Sequence, residues 1–247
     1  MSRAGRRGVV TGAARGIGRA VAERLLAEGV EVLAVDRDAD GLAELAAAGA
    51  RTLAVDLAGE AGVAAVAEAG DGADYLVNSH GIIRLLPILE ASRRDWRDVF
   101  AVNAESIFFL CQQLGPRLRD GGAIVNLSSS SAKLASTVET AVYAASKTAI
   151  LSITRSFAYA LAPRGIRVNA ICPGIIDTPM QDAVLEEVAR LRGITPQELS
   201  QAREAGVPLR RGASPAECAG AIWFLLSDDS SYMTGEAMNV SGGLTMW

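Results

Sequence analysis

The stretch AVYAASKTAI, residues 141–150, carries Tyr143 and Lys147 four positions apart and no other charge. On a helix the two side chains share one face, about one turn apart. A phenol beside an ammonium can move a proton. An ordinary tyrosine titrates near pH ~10, too high for an efficient base at neutral pH, and a neighbouring cation favours its ionised form. Taken alone, the pair equally fits a surface helix on which both groups meet solvent. A second stretch gives it company. TGAARGIG, residues 11–18, places Gly12, Gly16 and Gly18 where a tight turn, a close backbone approach to a pyrophosphate and tight helix–strand packing need them. The helix that follows would direct its first amides, and the positive end of its dipole, at a phosphate. Asp36 lies 18 residues beyond Gly18 and ends the run AVD. A carboxylate there accepts both hydroxyls of an adenosine ribose and repels a 2′-phosphate; the plainer role is to cap the next helix.

These groups need a frame. Short β-branched or Leu-rich runs alternate with longer Ala-rich ones. The expected strands are Gly8–Val10, Glu31–Val35, Thr52–Val55, Tyr75–Val77, Ala123–Leu127, Arg167–Ile171 and Ala237–Val240. Helices are expected near 16–28, 39–48, 60–69, 95–118, 141–162 and 214–227. Apolar strands alternating with helices predict an α/β fold, a doubly wound parallel sheet of about seven strands with helices on both faces. No repeat or linker divides residues 1–247, so one domain is expected. The rhythm breaks at 178–211, where TPQE (195–198) reads as a capping box: Thr195 the N-cap, Pro196 the first helical residue, Glu198 the reciprocal cap. Two short helices are expected there, Val184, Leu185, Val188 and Leu191 forming the apolar face of the first. An insertion at that end of an α/β sheet is where lids over binding sites grow.

Composition narrows the function classes. Half of the residues are hydrophobic, which suits a packed globular core, and the net charge of −4 argues against a nucleic-acid partner. The basic start leads into a strand-like run, not into a secretory h-region. No stretch approaches the roughly 18 apolar residues of a membrane span. Cys111, Cys172 and Cys218 lie far apart and read as reduced thiols of a cytoplasmic protein. With His80 the single histidine, neither a histidine-based zinc site nor a Ser-His-Asp triad is expected, and no metal.

Further motifs stand in order along the chain: VDL at 55–57, NSHG at 78–81, VN at 102–103, IVNLSS at 124–129, RVNAICPG at 167–174 and DTPM at 177–180. With TGAARGIG and YAASK they resemble the short-chain dehydrogenase/reductase family, in its common form of about this length, over nearly the whole chain. The resemblance implies a Rossmann-type fold and a nicotinamide dinucleotide. Gly12, Arg15, Gly16, Ile17, Gly18 and Asp36 would hold its adenosine diphosphate part, and Asp56 with Leu57 the adenine. Asn78 and Gly81 would line the ribose at the end of the fourth strand. Pro173, Gly174, Ile176 and Thr178 would hold the nicotinamide, Ile176 through its backbone and Thr178 through its hydroxyl. Tyr143 becomes the acid/base and Lys147 both its electrostatic partner and a ligand of the nicotinamide ribose. Asn103 would hold a water that passes the proton outward, and a serine hydroxyl would orient the substrate oxygen.

Which serine is answered in two ways. Strand register from IVNLSS selects Ser129; counting back the family's commonest interval of 13 residues from Tyr143 selects Ser130. The register is preferred, because an extra residue fits more easily in the loop 132–141 than within a strand. Ser128 would point to the core and Ser131 into the loop. Other positions depart from the pattern. His80 replaces a small residue, and its expected role is packing and hydrogen bonding, not catalysis. VSGG at 240–243 replaces V-D-G-G, which puts a cap interaction in doubt. Arg15 and Arg37 would suit a 2′-phosphate; Asp36 argues against one, so NAD is expected over NADP.

The reading is an NAD-dependent oxidoreductase that interconverts a secondary alcohol and a ketone, on a sugar, polyol or small hydroxy compound. The alternatives are an NADPH-dependent 3-oxoacyl thioester reductase and a non-catalytic nucleotide-binding regulator, against which the intact serine, tyrosine and lysine stand. A homo-oligomer, most simply a tetramer, is also expected. Ala145, Thr148, Ser152, Ser156 and Tyr159 form a nearly uncharged outer face on the helix of Tyr143. Glu105 is the sole charge from Val99 to Leu114, and Trp247 points to a second contact near a neighbouring subunit.

Overall fold

Seven short runs rich in Val, Ile, Leu and Ala form strands in the computed structural model, which describes residues 5–134 and 138–247. They are β1 (Arg7–Thr11), β2 (Glu31–Asp36), β3 (Arg51–Ala54), β4 (Tyr75–Asn78), β5 (Ala123–Leu127), β6 (Arg167–Pro173) and β7 (Ala237–Val240). All neighbours pair in parallel, in the order β3-β2-β1-β4-β5-β6-β7. The order reverses between β1 and β4, so a crevice opens at the carboxyl ends of the central strands. β4 and β5 are buried along their whole length, as strands covered on both faces must be.

The covering helices are α1 (Gly16–Ala27), α2 (Ala43–Ala47), α3 (Glu60–Ala69), α4 (Arg93–Phe100), α5 (Ser106–Leu114), α6 (Ala141–Leu161), α7 (Pro179–Arg192), α8 (Pro196–Ala205) and α9 (Pro215–Leu226). Alternate strand residues serve opposite layers. Val10, Val77 and Val125 pack with Val21 and Leu25 of α1 and Ile222 of α9. Val9, Leu76 and Ile124 pack with Val66 of α3, Leu110 of α5 and Ile150 of α6.

Several boundaries differ from the sequence reading, each for a local reason. The helix expected over 95–118 is broken. It starts at Arg93, because Ser92 Oγ accepts from Asp95 N (3.1 Å) while Asp95 Oδ2 accepts from Ser92 N (3.1 Å). It widens to a π-turn over Ala101–Glu105, and it ends at Leu114 where Gly115–Arg117 tightens around Pro116. The helix expected over 39–48 shrinks to α2, whose N-cap is Leu42, not Asp36. Asp36 and Asp38 hold the preceding chain in turns instead, accepting from Asp38 N (3.1 Å) and Gly41 N (3.0 Å). The insertion does hold two helices. Thr178 caps α7 by accepting from Gln181 N (3.3 Å), and the Thr195–Glu198 capping box starts α8. Val184 and Val188 pack with Ala189, Leu199, Ile83 and Leu85; Leu191, expected on that face, is 41% exposed. The three cysteines are buried thiols. Among the described residues no helix is long and apolar enough to cross a membrane.

Candidate active site

A cavity of about 530 Å³ runs along the crevice. Gly12, Arg15, Gly16, Ile17, Gly18, Asp36, Asp56, Leu57, Gly81, Ser129, Tyr143, Lys147, Pro173, Gly174, Ile176 and Thr178 all line it. Asn78 and Asn103 do not.

At one end the glycine turn leaves no room for side chains. Gly12 has a φ of +68°, and a Cβ there would lie 2.7 Å from the His80 backbone. A Cβ on Gly18 would sit 2.1 Å from Gly12 O. The first turn of α1 has neither a side-chain cap nor an acidic residue, so its amides are free to meet an anion. Half-buried Asp36 accepts from Ala14 N (3.1 Å) as well as from Asp38 N, which fixes its carboxylate between the turn and the cavity. Asp56 is held by Ala58 N (2.9 Å). A phosphate cradle, a fixed carboxylate and a second acid fit an adenosine diphosphate moiety.

At the other end Tyr143 stands beside Ser129, close enough that the serine hydroxyl lowers the pKa of the phenol. Register explains this. β5 ends at Leu127, Ser128 N still donates to Ile171 O (2.9 Å), and Ser129 is extended before the turn at Ser130–Ala132. Ser129 Oγ also accepts from Ser131 N (3.1 Å), while Ser128 turns inward and donates to Lys147 O (2.8 Å). Ser130 and Ser131 line the cavity too, but Ser129 is the serine that acts on the phenol. Residues 135–137 of the loop expected to absorb an extra residue lie outside the described residues.

Lys147 Nζ stands 5.7 Å from the Tyr143 ring centroid and donates to Leu127 O (2.8 Å). Burial pushes its pKa down to about 8, with Cys172 acting weakly the other way. The expected depression of the phenol by lysine is not seen here. Burial raises the Tyr143 pKa above its ordinary value, opposed by Ser129 alone.

Two residues stand elsewhere than expected. Asn78 is buried beneath the crevice: its Nδ2 donates to Asn126 Oδ1 (2.8 Å), and Asn126 Nδ2 donates to Thr154 Oγ1 (3.0 Å). It ties β4 to β5 and α6, and Ser79–Gly81 line the cavity in its place. Asn103, in the π-turn, accepts from Ile82 N (2.8 Å) and donates to Ile82 O (2.9 Å) and Ser146 Oγ (3.0 Å). Both amide hydrogens are used, so its side chain fixes the backbone of Ile82 and the hydroxyl of Ser146.

His80 is packed, as its lone occurrence suggested. Its Nδ1 lies 2.6 Å from Thr11 Oγ1 and its Nε2 2.6 Å from Ser106 Oγ. Ser106 donates its own proton to Val102 O (2.6 Å), so Nε2 carries the hydrogen and Nδ1 accepts from Thr11. Burial, with the Lys147 charge, holds the imidazole neutral, its pKa lowered to about 3. Ser241 restores a cap, accepting from Thr245 N (3.1 Å). The two insertion helices contribute lining groups the sequence did not point to: Met180, Gln181, Arg192 and Arg203.

The family model described as enoyl-(acyl carrier protein) reductase matches residues 12–245. A galactitol 2-dehydrogenase of Agrobacterium fabrum is 36% identical over 246 residues, 95% of each chain. A 3-oxoacyl-[acyl-carrier-protein] reductase of Aquifex aeolicus is 34% identical, with 97% of each chain covered. Among solved structures, a short-chain glucose/ribitol dehydrogenase of Brucella melitensis superposes with a TM-score of 0.90 at 34% identity, covering 100% of this chain and 99% of its own.

Proposed function

Because the chain belongs to the short-chain dehydrogenase/reductase family, we propose that it interconverts a secondary alcohol and a ketone with NAD, on a sugar, polyol or small hydroxy compound. The observation that carries this reading is Tyr143 beside Lys147, with Ser129 lining the same cavity, whose far end is bounded by Asp36. The nicotinamide, when bound, accepts or returns a hydride at carbon. Tyr143 moves the matching proton at its phenol oxygen, taking it from the alcohol and giving it back to the ketone. Ser129 orients the substrate oxygen and supports its developing charge. Lys147, beneath the ring face, favours the ionised phenol once its ammonium turns from Leu127 O towards the site. Asn103 is a positioning residue that keeps Ile82 and the first turn of α6 in register. The glycine turn with Arg15 and Ile17 would hold the pyrophosphate, Asp36 the adenosine ribose, and Asp56 with Leu57 the adenine. Gly81 would meet the nicotinamide ribose, and Pro173, Gly174, Ile176 and Thr178 the nicotinamide. Since Thr178 also caps α7, that end of the cofactor site and the lid share a residue.

A sugar or polyol substrate is supported by the galactitol-oxidising relative. Arg15 and Arg37 at the adenosine end, together with the 3-oxoacyl reductase relative, favour a second reading: an NADPH-dependent reductase of acyl thioesters. Asp36 opposes it by repelling a 2′-phosphate. A panel of polyols, hydroxy compounds, ketones and 3-oxoacyl thioesters, followed by nicotinamide absorbance with both cofactors, decides the matter. Turnover only of thioesters with NADPH would replace the first reading by the second. Tight dinucleotide binding with no turnover on any compound would leave a regulator.

A further inference from the structure

The two lid helices bring two arginines to the cavity, Arg192 exposed and Arg203 half-buried. On α7, Gln181, Val184, Val188 and Arg192 recur at intervals of three and four and line the cavity. On α8 and its C-cap, Leu199, Ala202, Arg203 and Gly206 do the same. Such intervals mark one helix face. A guanidinium on the outer face would be solvated by water, whereas one among apolar side chains needs a compensating anion. Arg192 is exposed and also paired, its Nη2 lying 3.3 Å from Glu139. Arg203 is half-buried, and no carboxylate pairs with it among the described residues. Burial and the charge of Arg192 both push its pKa down, and no anion acts in the other direction. A basic residue in the last turn of α8 also suits the helix dipole, but an outward position would serve that purpose equally. Among the described residues, the carboxylates lining the cavity are Asp36 and Asp56, at the adenosine end. The lid end therefore carries uncompensated positive charge.

We propose that the substrate carries an anionic group, a carboxylate or a phosphate, and that Arg203, with Arg192 beside it, receives that group on the inner face of the lid. The inference rests on the alcohol/ketone reading and narrows its substrate from a neutral polyol to a hydroxy acid or a phosphorylated hydroxy compound. The guanidinium fork matches two oxygens of either anion. Val184, Val188 and Leu199 beside it keep water away and strengthen the contact. Arg203 and Tyr143 line one cavity, so an anion fixed at the lid holds the hydroxyl against the phenol.

The test uses the full chain with NAD and a panel of hydroxy acids, their methyl esters, polyols and the matching polyol phosphates. Wild type is expected to prefer the charged member of each pair. Preference for acids over esters identifies a carboxylate site, and preference for phosphates over parent polyols a phosphate site. Arg203→Gln should raise the KM of the charged substrate roughly ten- to hundred-fold with little change in kcat, and should leave the neutral partner unaffected. Arg203→Lys should recover part of the loss. NADH affinity, read by fluorescence titration, should be the same in all three proteins, which also shows that the variants are folded. Equal or better turnover of the neutral members overturns the anion site and leaves the alcohol/ketone reading standing. Loss of NADH affinity in Arg203→Gln assigns the guanidinium to the cofactor phosphates and likewise overturns it. No nicotinamide reduction with any member removes the underlying reading, and the anion site with it.

Discussion

Asn103 grips Ile82 at both ends of its amide, accepting from the Ile82 nitrogen and donating to the Ile82 oxygen. The same amide donates to Ser146, whose hydroxyl donates to Tyr143 O (2.7 Å). One buried side chain thus joins the turn after β4 to the first turn of α6. Asn103→Ala removes three hydrogen bonds and leaves the Ile82 backbone groups unpaired. We expect a loss of about 3 kcal/mol, seen as a melting temperature roughly 5–10 °C lower. Turnover should fall further than NADH affinity, because the displaced groups border Tyr143 and not the glycine turn. An unchanged melting temperature would contradict the bridge.

Tyr143→Phe removes the proton-carrying oxygen and nothing else. We expect kcat to drop by roughly 10²–10⁴-fold with NADH still bound. Ser129→Ala should lose far more rate than Ser130→Ala, since Ser129 is the serine whose hydroxyl acts on the phenol. The reverse order in steady-state kinetics would move the assignment by one residue.

How much of this was legible in the sequence depended on whether a residue's role is set by near or distant neighbours. The strand β5 was legible to the residue because an apolar run buried on both faces admits one register, and that register carried Ser129. The capping box at Thr195 was legible because all its partners lie within four residues. Asn78 was not: its motif position suggested the cleft, but its side chain faces downward to Asn126, 48 residues away. Asn103 likewise spends its side chain on distant neighbours, Ile82 and Ser146, 21 and 43 residues away. The half-buried Arg203 leaves a trace in the sequence, since Leu199 and Arg203 share a helix face at four-residue spacing. Without the fold, nothing said which face looked into the cavity.

Cofactor choice hangs on Asp36. Asp36→Ala removes the carboxylate that would take the ribose hydroxyls and repel a phosphate, with Arg15 and Arg37 lining the same end. We expect the ratio of kcat/KM for NAD over NADP to fall by roughly ten- to hundred-fold, each factor of ten corresponding to about 1.4 kcal/mol. Wild-type enzyme that already prefers NADP in the same assay would refute the assignment.

His80 should make the fold acid-sensitive. Its pKa is lowered from 6.5 to about 3 by burial, so between those values the unfolded chain binds a proton that the folded protein refuses. The stabilisation is complete above pH 6.5 and is lost as pH falls towards 3. From pH 7 to pH 4 the loss from this one group is about 3 kcal/mol. His80→Gln should therefore lose less stability over that range than wild type, whatever its stability at pH 7. Parallel denaturant melts of the two proteins that fall equally with acid would contradict a neutral, buried imidazole.

Assembly is the last expectation, and the outer faces of α5 and α6 carry it. Thr148, Ser152, Ser156 and Tyr159 of α6 are exposed, Tyr159 by 89%. On α5, Phe108 and Phe109 are 38% and 36% exposed, their rings 5.4 Å apart, and Phe108 also meets Phe157 of α6 at 5.3 Å. Phe108, Phe109 and Phe157 form a contiguous aromatic patch that a monomer would leave partly in water, and Tyr159 stands exposed on the same helix as Phe157. Pairing the two helices with their copies about a two-fold axis would bury it. Trp247 marks a second surface. Its main-chain oxygen is held by Lys133 Nζ (2.9 Å) and Asn239 Nδ2 (3.3 Å), yet its side chain lies in the open, the residue 72% exposed. A backbone anchored so firmly would present the indole to a neighbouring subunit in the expected assembly. We expect sedimentation velocity at micromolar concentration to show a tetramer, and Phe109→Glu combined with Tyr159→Glu to split it while far-ultraviolet circular dichroism stays unchanged. Trp247→Ala should weaken only the second contact and raise the share of dimers. A wild-type monomer would refute the assembly, and an unaltered tetramer after Trp247→Ala would remove the indole from it.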